Sequence, residues 1–276
     1  MLWCDELVNS ADARQPIVAE LGRLAVGLAT GAAELVRRNG GDAHSVSSKS
    51  TSTDLVTEVD RASERWLVDR INAVRPGDAV LAEEGGGHDG ASGVRWVLDP
   101  IDGTVNFVLG IPAYAVSVAA ELDGEVVAGA VCAPVSGELF HATLGGGARL
   151  ISPDGTHRAL SGPRAITLER AVVGTGFAYD RARRARQGRV VAELVARIAD
   201  VRRIGSAALD LCSVAAGRLD GYFEVGLNPW DSAAGGLIAH EAGCVFVEDG
   251  PLTMAAGAGL ATELGALLAE LGAGEV

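Results

Sequence analysis

The chain is 276 residues long, 48% hydrophobic, and carries 23 basic against 36 acidic side chains for a net charge of −13. That much apolar material at this charge excludes a disordered scaffold and supplies a core for one large domain or two small ones. An acidic chain whose arginines form no stripe is also a poor binder of a phosphate backbone, so no direct nucleic-acid partner is expected.

The chain begins with Asp5, Glu6 and Asp12 where a secretory signal places basic and apolar residues. No window holds the ~18 uninterrupted apolar residues of a membrane span. Both observations predict a cytoplasmic protein without a membrane partner. Over 16–38, Ile17, Leu21, Leu24, Leu28, Ala32 and Leu35 recur every three or four positions and Asn39-Gly40-Gly41 supplies a stop, which predicts an amphipathic helix. Residues 41–53 lack periodicity and read as a loop. A second helix is expected over 60–74, closed by Pro76-Gly77.

Short β-prone runs follow at 79–82, 94–98, 114–122, 126–132 and 139–143, the last three separated by Asp123-Gly124 and the turn 134–137 as in an antiparallel meander. The apolar stretch 114–132 suits either a sheet or an interface. Beyond Pro163 the pattern alternates: strand 171–174, a helix through 190–198, strand 201–204, a helix from Ser206, strand 221–225, a helix from Asp231, strand 244–247 and a last helix. The N-terminal half therefore reads as α+β, helices over an antiparallel sheet, and the C-terminal half as a second α/β layer. The division falls near 152–163, giving units 1–160 and 161–276.

Chemistry concentrates in Trp96-Val97-Leu98-Asp99-Pro100-Ile101-Asp102-Gly103-Thr104, where an apolar strand runs into two carboxylates, a turn and a hydroxyl. Asp-Gly alone is a common turn, so the other acids matter. Glu83-Glu84 follow an apolar run, and Asp231 stands at the head of an Ala- and Gly-rich helix, where it is also a natural N-cap. Acids at strand ends and helix starts describe an oxygen-rich cleft suited to Mg²⁺. Lys49 is the sole lysine. The five histidines lack metal-ligand spacing, Cys4, Cys132, Cys212 and Cys244 form no C-x-x-C pair, and the run Arg181, Arg183, Arg184, Arg186, Arg189 reads as a solvated helix face. Trp96 and Trp230 are expected to pack behind the acids.

In this order and spacing, Lys49 with Asp54-Leu55-Val56-Thr57 and Asp60, Glu83-Glu84, Asp99 through Phe107, Gly205-Ser206-Ala207-Ala208, Glu224 and Pro229-Trp230-Asp231 resemble the inositol monophosphatase family, and 208–224 looks especially like its bacterial members. The resemblance implies the αβαβα sandwich shared with fructose-1,6-bisphosphatase and lithium-sensitive, Mg²⁺-dependent hydrolysis of myo-inositol 1-phosphate. It further implies two to three ions, with Mn²⁺ able to substitute, and a homodimer. Glu83, Asp99 and the Ile101 carbonyl would hold the first ion, Asp99, Asp102 and Asp231 the second, and Glu83 with water a looser third. Thr104, oriented by Asp60, would join Glu83 in activating water, and Gly103 and Thr104 would receive the phosphate. Asp102, Thr175, Ala207 and Glu224 would contact substrate, and Lys49 would lie on a loop over the metals. An aspartyl-phosphate mechanism is disfavoured because its two acids stand two apart, whereas Asp99 and Asp102 stand three apart. The alternatives are fructose 1,6-bisphosphate, histidinol phosphate or phosphoadenosine phosphate as substrate, or a non-enzymatic role with the transcription machinery.

Overall fold

The computed structural model describes residues 2–39, 46–48 and 55–276, so the readings of Lys49 and Asp54 lie outside the described residues. Helix α1 (Leu2–Asn39) is longer than its periodic stretch and contains Pro16, which interrupts one backbone bond without ending the helix. Its segment Arg14–Asn39 is long and apolar enough to cross a bilayer, with a mean hydropathy of 1.2. Leu21, Ala25, Leu28, Ala29, Ala32 and Val36, however, are buried with the sheet residues in one core. Strand β1 (Val46–Ser48) lies within the expected loop and pairs antiparallel with β2 (Leu55–Thr57). Helix α2 (Glu58–Val74) starts two residues earlier than its apolar pattern, because Thr57 caps it and Asp60 reciprocates as the acid of a capping box.

The larger sheet takes β3 (Ala79–Ala82), β4 (Val94–Asp102), β5 (Ala115–Leu122), β6 (Glu125–Cys132), β7 (Leu139–Thr143), β8 (Gly147–Ile151) and β9 (His157–Ala159) in chain order. All neighbours are antiparallel except β3 and β4. The apolar stretch 114–132 is thus spent in the sheet's centre. Strand β8 escaped the sequence pattern because its outward Gly147 and Arg149 are exposed, and the edge strand β9 because all three of its residues, His157, Arg158 and Ala159, are exposed.

Helix α3 (Thr104–Leu109) interrupts β4 and β5. Beyond the larger sheet come β10 (Val172–Thr175), α4 (Arg181–Leu194), β11 (Asp200–Arg202), α5 (Ala207–Ala215), β12 (Gly221–Val225), α6 (Pro229–Glu241), β13 (Cys244–Asp249), β14 (Leu252–Gly257) and α7 (Ala261–Glu270). The second sheet has the order β11-β10-β12-β14-β13, parallel through β12 and antiparallel thereafter. Strand β14 is the unexpected one, paired along its length with β12 and β13.

Three cores order the layers. The helices α1 and α2 cover one face of the larger sheet, with Leu67, Ile71, Trp96 and Leu98 buried between them. On its other face Val97, Ala119 and Val131 meet Leu211 of α5 and Ala234 and Ile238 of α6, which in turn meet Tyr222 and Ala255 of the second sheet. Val190 and Leu194 of α4 and Leu264 and Leu268 of α7 cover that sheet's far side. The stack is αβαβα, as expected. Helices α5 and α6 are small-residue helices because they lie between two sheets. Gly129 shows how tight that layer is: a Cβ there would stand 3.0 Å from the backbone of Ala234.

Candidate active site

The three aspartates meet because β4 is irregular. Side chains alternate across a strand, so residues three apart would face opposite sides of the sheet. Asp99 pairs with Ser117 of β5, the register then shifts, and Asp102 pairs with Ala115. A bulge of this kind re-aims a side chain, and here it turns both carboxylates to one side. Asp231 arrives from the first turn of α6. Ligand oxygens of Asp99, Asp102 and Asp231 lie within 4.8 Å of one another. Asp231 is not the N-cap: Asn228 caps α6, Pro229 is its first residue, and the Asn228 N–H donates to Asp231 Oδ2 at 2.7 Å. The helix N-terminus is thus closed within its own turn while the carboxylate reaches the cleft.

Each acid is held from outside the cluster. Ser206 Oγ and the Ala208 N–H, at the start of α5, donate to Asp102 Oδ2 at 2.6 and 2.7 Å. The Ile101 N–H donates to Asp99 Oδ1 at 3.0 Å. Glu83 follows β3, and its N–H donates to the Leu98 carbonyl at 3.3 Å. The loop beyond it is tied to α2, where the buried Glu64 carboxylate accepts from the N–H groups of Glu84 at 2.6 Å and Gly86 at 2.8 Å. Neither Ser206 nor Glu64 stood out in the sequence as a site residue. Ser206 was legible as a helix cap, whereas the Glu64 contact spans 20 residues and has no local signal.

Asp60 sits behind the cleft, fully buried. Its Oδ2 accepts from the Thr57 hydroxyl and from the Thr57 N–H at 2.9 Å, leaving Oδ1 to accept from Thr104 Oγ at 3.1 Å. Thr104 Oγ also lies 3.0 Å from the Ile101 carbonyl. Glu83, Asp99, Ile101, Asp102, Gly103 and Thr104 line one cleft of about 360 Å³. Thr175 from β10, Ala207 from α5, Glu224 from β12 and Asp231 from α6 line it as well.

Four further groups enter that cleft. Arg183 of α4 and Arg203 before α5 line its rim, so the basic run on α4 is not wholly a solvated face. Arg184 of the same run donates to the Ala178 and Tyr179 carbonyls. Asp210 of α5 is 2% exposed and faces the cleft from below. Trp230 lines it as well as packing against the core behind, and its carbonyl accepts from Ser117 Oγ at 3.3 Å. Trp96 is buried as expected and donates to Asp78 at 2.9 Å.

Burial and mutual repulsion raise the acids. Burial, then Glu83, Asp102 and Asp231, pushes Asp99 well above the ordinary carboxylate range. Burial and the neighbouring Asp102 do the same to Asp231. Asp102 is pushed to about 7 by burial and by Glu224 and Glu83, against the bonds from Ser206 and Ala208. A cluster of oxygens whose own charges oppose one another is completed by a cation: hard carboxylate and carbonyl oxygens suit Mg²⁺, and its charge inverts the local preference for protonation. The residues present fit such a group.

Comparison with known proteins places this fold in a family of phosphatases. The model of the inositol monophosphatase family matches residues 18–273. The chain belongs to the inositol monophosphatase family. It is 52% identical to the inositol-1-monophosphatase of Mycobacterium leprae over 236 residues, 81% of each chain. It is 43% identical over 198 residues to the Nus factor SuhB of Salmonella typhimurium, covering 71% of this chain and 72% of that one. The solved structure of Mycobacterium tuberculosis SuhB matches with a TM-score of 0.82 at 46% identity, over 92% of this chain and 97% of the other.

Proposed function

We propose that the chain hydrolyses a small phosphate monoester, myo-inositol 1-phosphate foremost, with Mg²⁺ and by direct attack of water. The observation that carries this reading is the convergence of Asp99, Asp102 and Asp231 within 4.8 Å in a cleft that Glu224 also lines. Glu83, Asp99 and the Ile101 carbonyl would hold one ion, Asp99, Asp102 and Asp231 a second, and Glu83 a looser third; Mn²⁺ has the same preference for these oxygens. Bound there, the ions supply a lowered pKa for water and charge stabilisation for the phosphoryl and leaving oxygens.

The chain's own groups do the rest. Thr104 Oγ takes a proton from the attacking water as it passes its own toward Asp60 Oδ1, to which it already donates at 3.1 Å. Thr57 keeps Asp60 aimed by occupying its other oxygen. Glu83 shares the task of orienting the water. The backbone N–H groups of Gly103 and Thr104, at the start of α3, receive phosphate oxygens. Glu224 accepts from a hydroxyl of the alcohol moiety, the small side chain of Ala207 leaves room for its ring, and Thr175 closes the far wall.

The test is phosphate release from myo-inositol 1-phosphate, fructose 1,6-bisphosphate, histidinol phosphate and phosphoadenosine phosphate, with Mg²⁺, with chelator and with lithium. Mg²⁺-dependent, lithium-inhibited release fastest from the inositol ester is expected. Faster release from another ester would move the substrate, and release unaffected by chelator would overturn the metal. The protein is further read as a homodimer, which a monomeric mass by light scattering would refute.

A second reading, partnership with the transcription machinery, is favoured by the relative named as a Nus factor. It requires surface rather than cleft. Rescue of a deletion phenotype by the Asp99→Asn variant would put this reading first.

A further inference from the structure

Asp210 is a buried acid that the proposed chemistry leaves unused. It projects from the first turn of α5, is 2% exposed, and lines the cleft with Glu224 rather than being one of the three aspartates whose oxygens cluster. Its Oδ1 is buried and has no hydrogen-bond partner among the described residues. That oxygen lies against an apolar wall. A Cβ built on Gly174 would stand 2.8 Å from it, 2.9 Å from the Leu219 methyl and 3.2 Å from the Tyr222 ring. A carboxylate oxygen with no donor in such a wall is strongly disfavoured, so the group takes a proton instead.

Glu224 is raised by burial as well, but the Tyr222 hydroxyl and Arg203 oppose that shift. The Tyr222 hydroxyl donates to its Oε2 at 2.6 Å. The same carboxylate crowds Gly176, where a Cβ would stand 1.8 Å from Oε2. Tyr222 thus holds one oxygen of Glu224 and leaves the other to accept from a ligand. Gly174 lies in β10 and Gly176 just beyond its end, so Asp210 and Glu224 rest on backbone positions two residues apart and line the same cleft.

We infer that Asp210 is a protonated carboxylic acid that donates a hydrogen bond to one oxygen of a polyhydroxylated alcohol moiety while Glu224 accepts from another. The inference rests on the phosphatase reading and narrows its substrate to esters of a polyol. A neutral carboxyl has a single O–H donor. With its carbonyl oxygen against Gly174, that O–H is left on the cleft side. A donor and an acceptor fixed at two points select a ring by its hydroxyl positions, because an analogue lacking either leaves a buried polar group unpaired. Asp210 is a specificity-determining residue in this scheme and takes no part in attack on phosphorus.

The surroundings support the protonated form. Burial is the largest cause, followed by the charges of Glu224 on β12 and Asp102 on β4, with Arg203 opposing, and together they raise Asp210 to about 9. The hydroxyl of Tyr222 is the remaining titratable group nearby, and it is itself raised by burial and by Glu224. The burial contribution does not depend on whether Asp102 holds a cation.

Two measurements on the Mg²⁺-loaded full chain decide the matter. The first is the infrared difference between wild type and Asp210→Asn at pH 7. Loss of a protonated-carboxyl stretch is expected, and loss of a carboxylate stretch instead would overturn the inference, whether or not the wild type turns over any ester. The second is the ratio of kcat/KM for myo-inositol 1-phosphate to that for p-nitrophenyl phosphate, which has no ring hydroxyls. Asp210→Leu should lower the ratio about tenfold, mainly through KM, and Asp210→Asn, which keeps a donor, should restore most of it. In wild type the ratio should fall as pH rises through about 9, and in Asp210→Asn it should not. An unchanged ratio in Asp210→Leu would sink the inference while leaving hydrolysis itself intact. Absence of hydrolysis of both esters by wild type would instead sink the phosphatase reading.

Discussion

Asp99 and Asp102 differ in how they are held, and that difference matters for their substitution. Asp102 Oδ2 is bonded by Ser206 and Ala208, so an amide there keeps one carbonyl oxygen for those donors. Asp99 is crowded by Glu83, Asp102 and Asp231, so neutralising it removes repulsion among these acids. Asp99→Asn and Asp102→Asn should each lower kcat/KM by on the order of 10³-fold, with circular dichroism and Tm retained. Wild-type turnover in either would reject the proposed metal site. Thr104 has a different signature, because only its hydroxyl is used. Thr104→Ala should cost about 10²-fold in kcat, and Thr104→Ser should recover most of it. Equal losses in both would point to packing rather than proton transfer.

The first turn of α5 joins two functions in one residue. Ser206 Oγ accepts from the Leu209 N–H at 3.3 Å as an N-cap and donates to Asp102 at 2.6 Å. Ser206→Ala should therefore lower stability by about 1–2 kcal/mol by denaturant titration and also weaken Mg²⁺ binding. A stability loss without a change in metal affinity would separate the cap from the site. At the edge of the larger sheet, Asp78 ties the end of α2 to β4. It accepts from Arg75 Nε at 2.6 Å, Ser92 Oγ at 2.6 Å and Trp96 Nε1 at 2.9 Å while 1% exposed. Although burial works against it, these bonds hold its pKa below the ordinary range. A depressed folded-state value means that its contribution is present above the unfolded pKa and is lost as pH falls through the folded one. Asp78→Ala leaves Arg75 paired with Glu20 alone and strands the Trp96 N–H, and a loss of about 1–3 kcal/mol is expected at neutral pH.

The five layers bring acids from both parts of the chain into one cleft, and under the proposed metal reading this would couple cation binding to folding. The raised folded-state values of Asp99, Asp102 and Asp231 mean that the metal-free fold holds protons the unfolded chain releases. Their cost is absent at acid pH and grows as pH rises from the unfolded carboxylate value through about 7, where Asp102 titrates. The chelated protein should lose Tm across that interval. Mg²⁺ should restore it by an increment that grows with pH, about 2.7 kcal/mol when the ion is at 100 times its Kd. A Tm indifferent to Mg²⁺ at pH 8 would remove the cation from the cleft.

Much of this was legible in the linear order of residues. The acids of 99–104 stand after an apolar strand, the helices α1 and α2 follow their 3.6-residue period, and the central strands β5, β6 and β7 are bounded by their turns. Such signals are local, carried by residues a few positions apart. The bulge that turns Asp99 and Asp102 to one side was not legible, because it depends on the register with Ser117 and Ala115. The place of Asp231 beside them was legible only through the family resemblance: Asn228-Pro229 is a helix start of its own, and the packing of α6 between two sheets brings the third residue of that helix to the aspartates. Strand β14 and the cleft-lining Arg183, Arg203 and Asp210 likewise owe their roles to neighbours distant in sequence. Residue types and periodicity specify which segments become helix or strand and which side chains are suited to the chemistry. Register and layer packing, which are long-range and cooperative, determine which of those side chains share one volume.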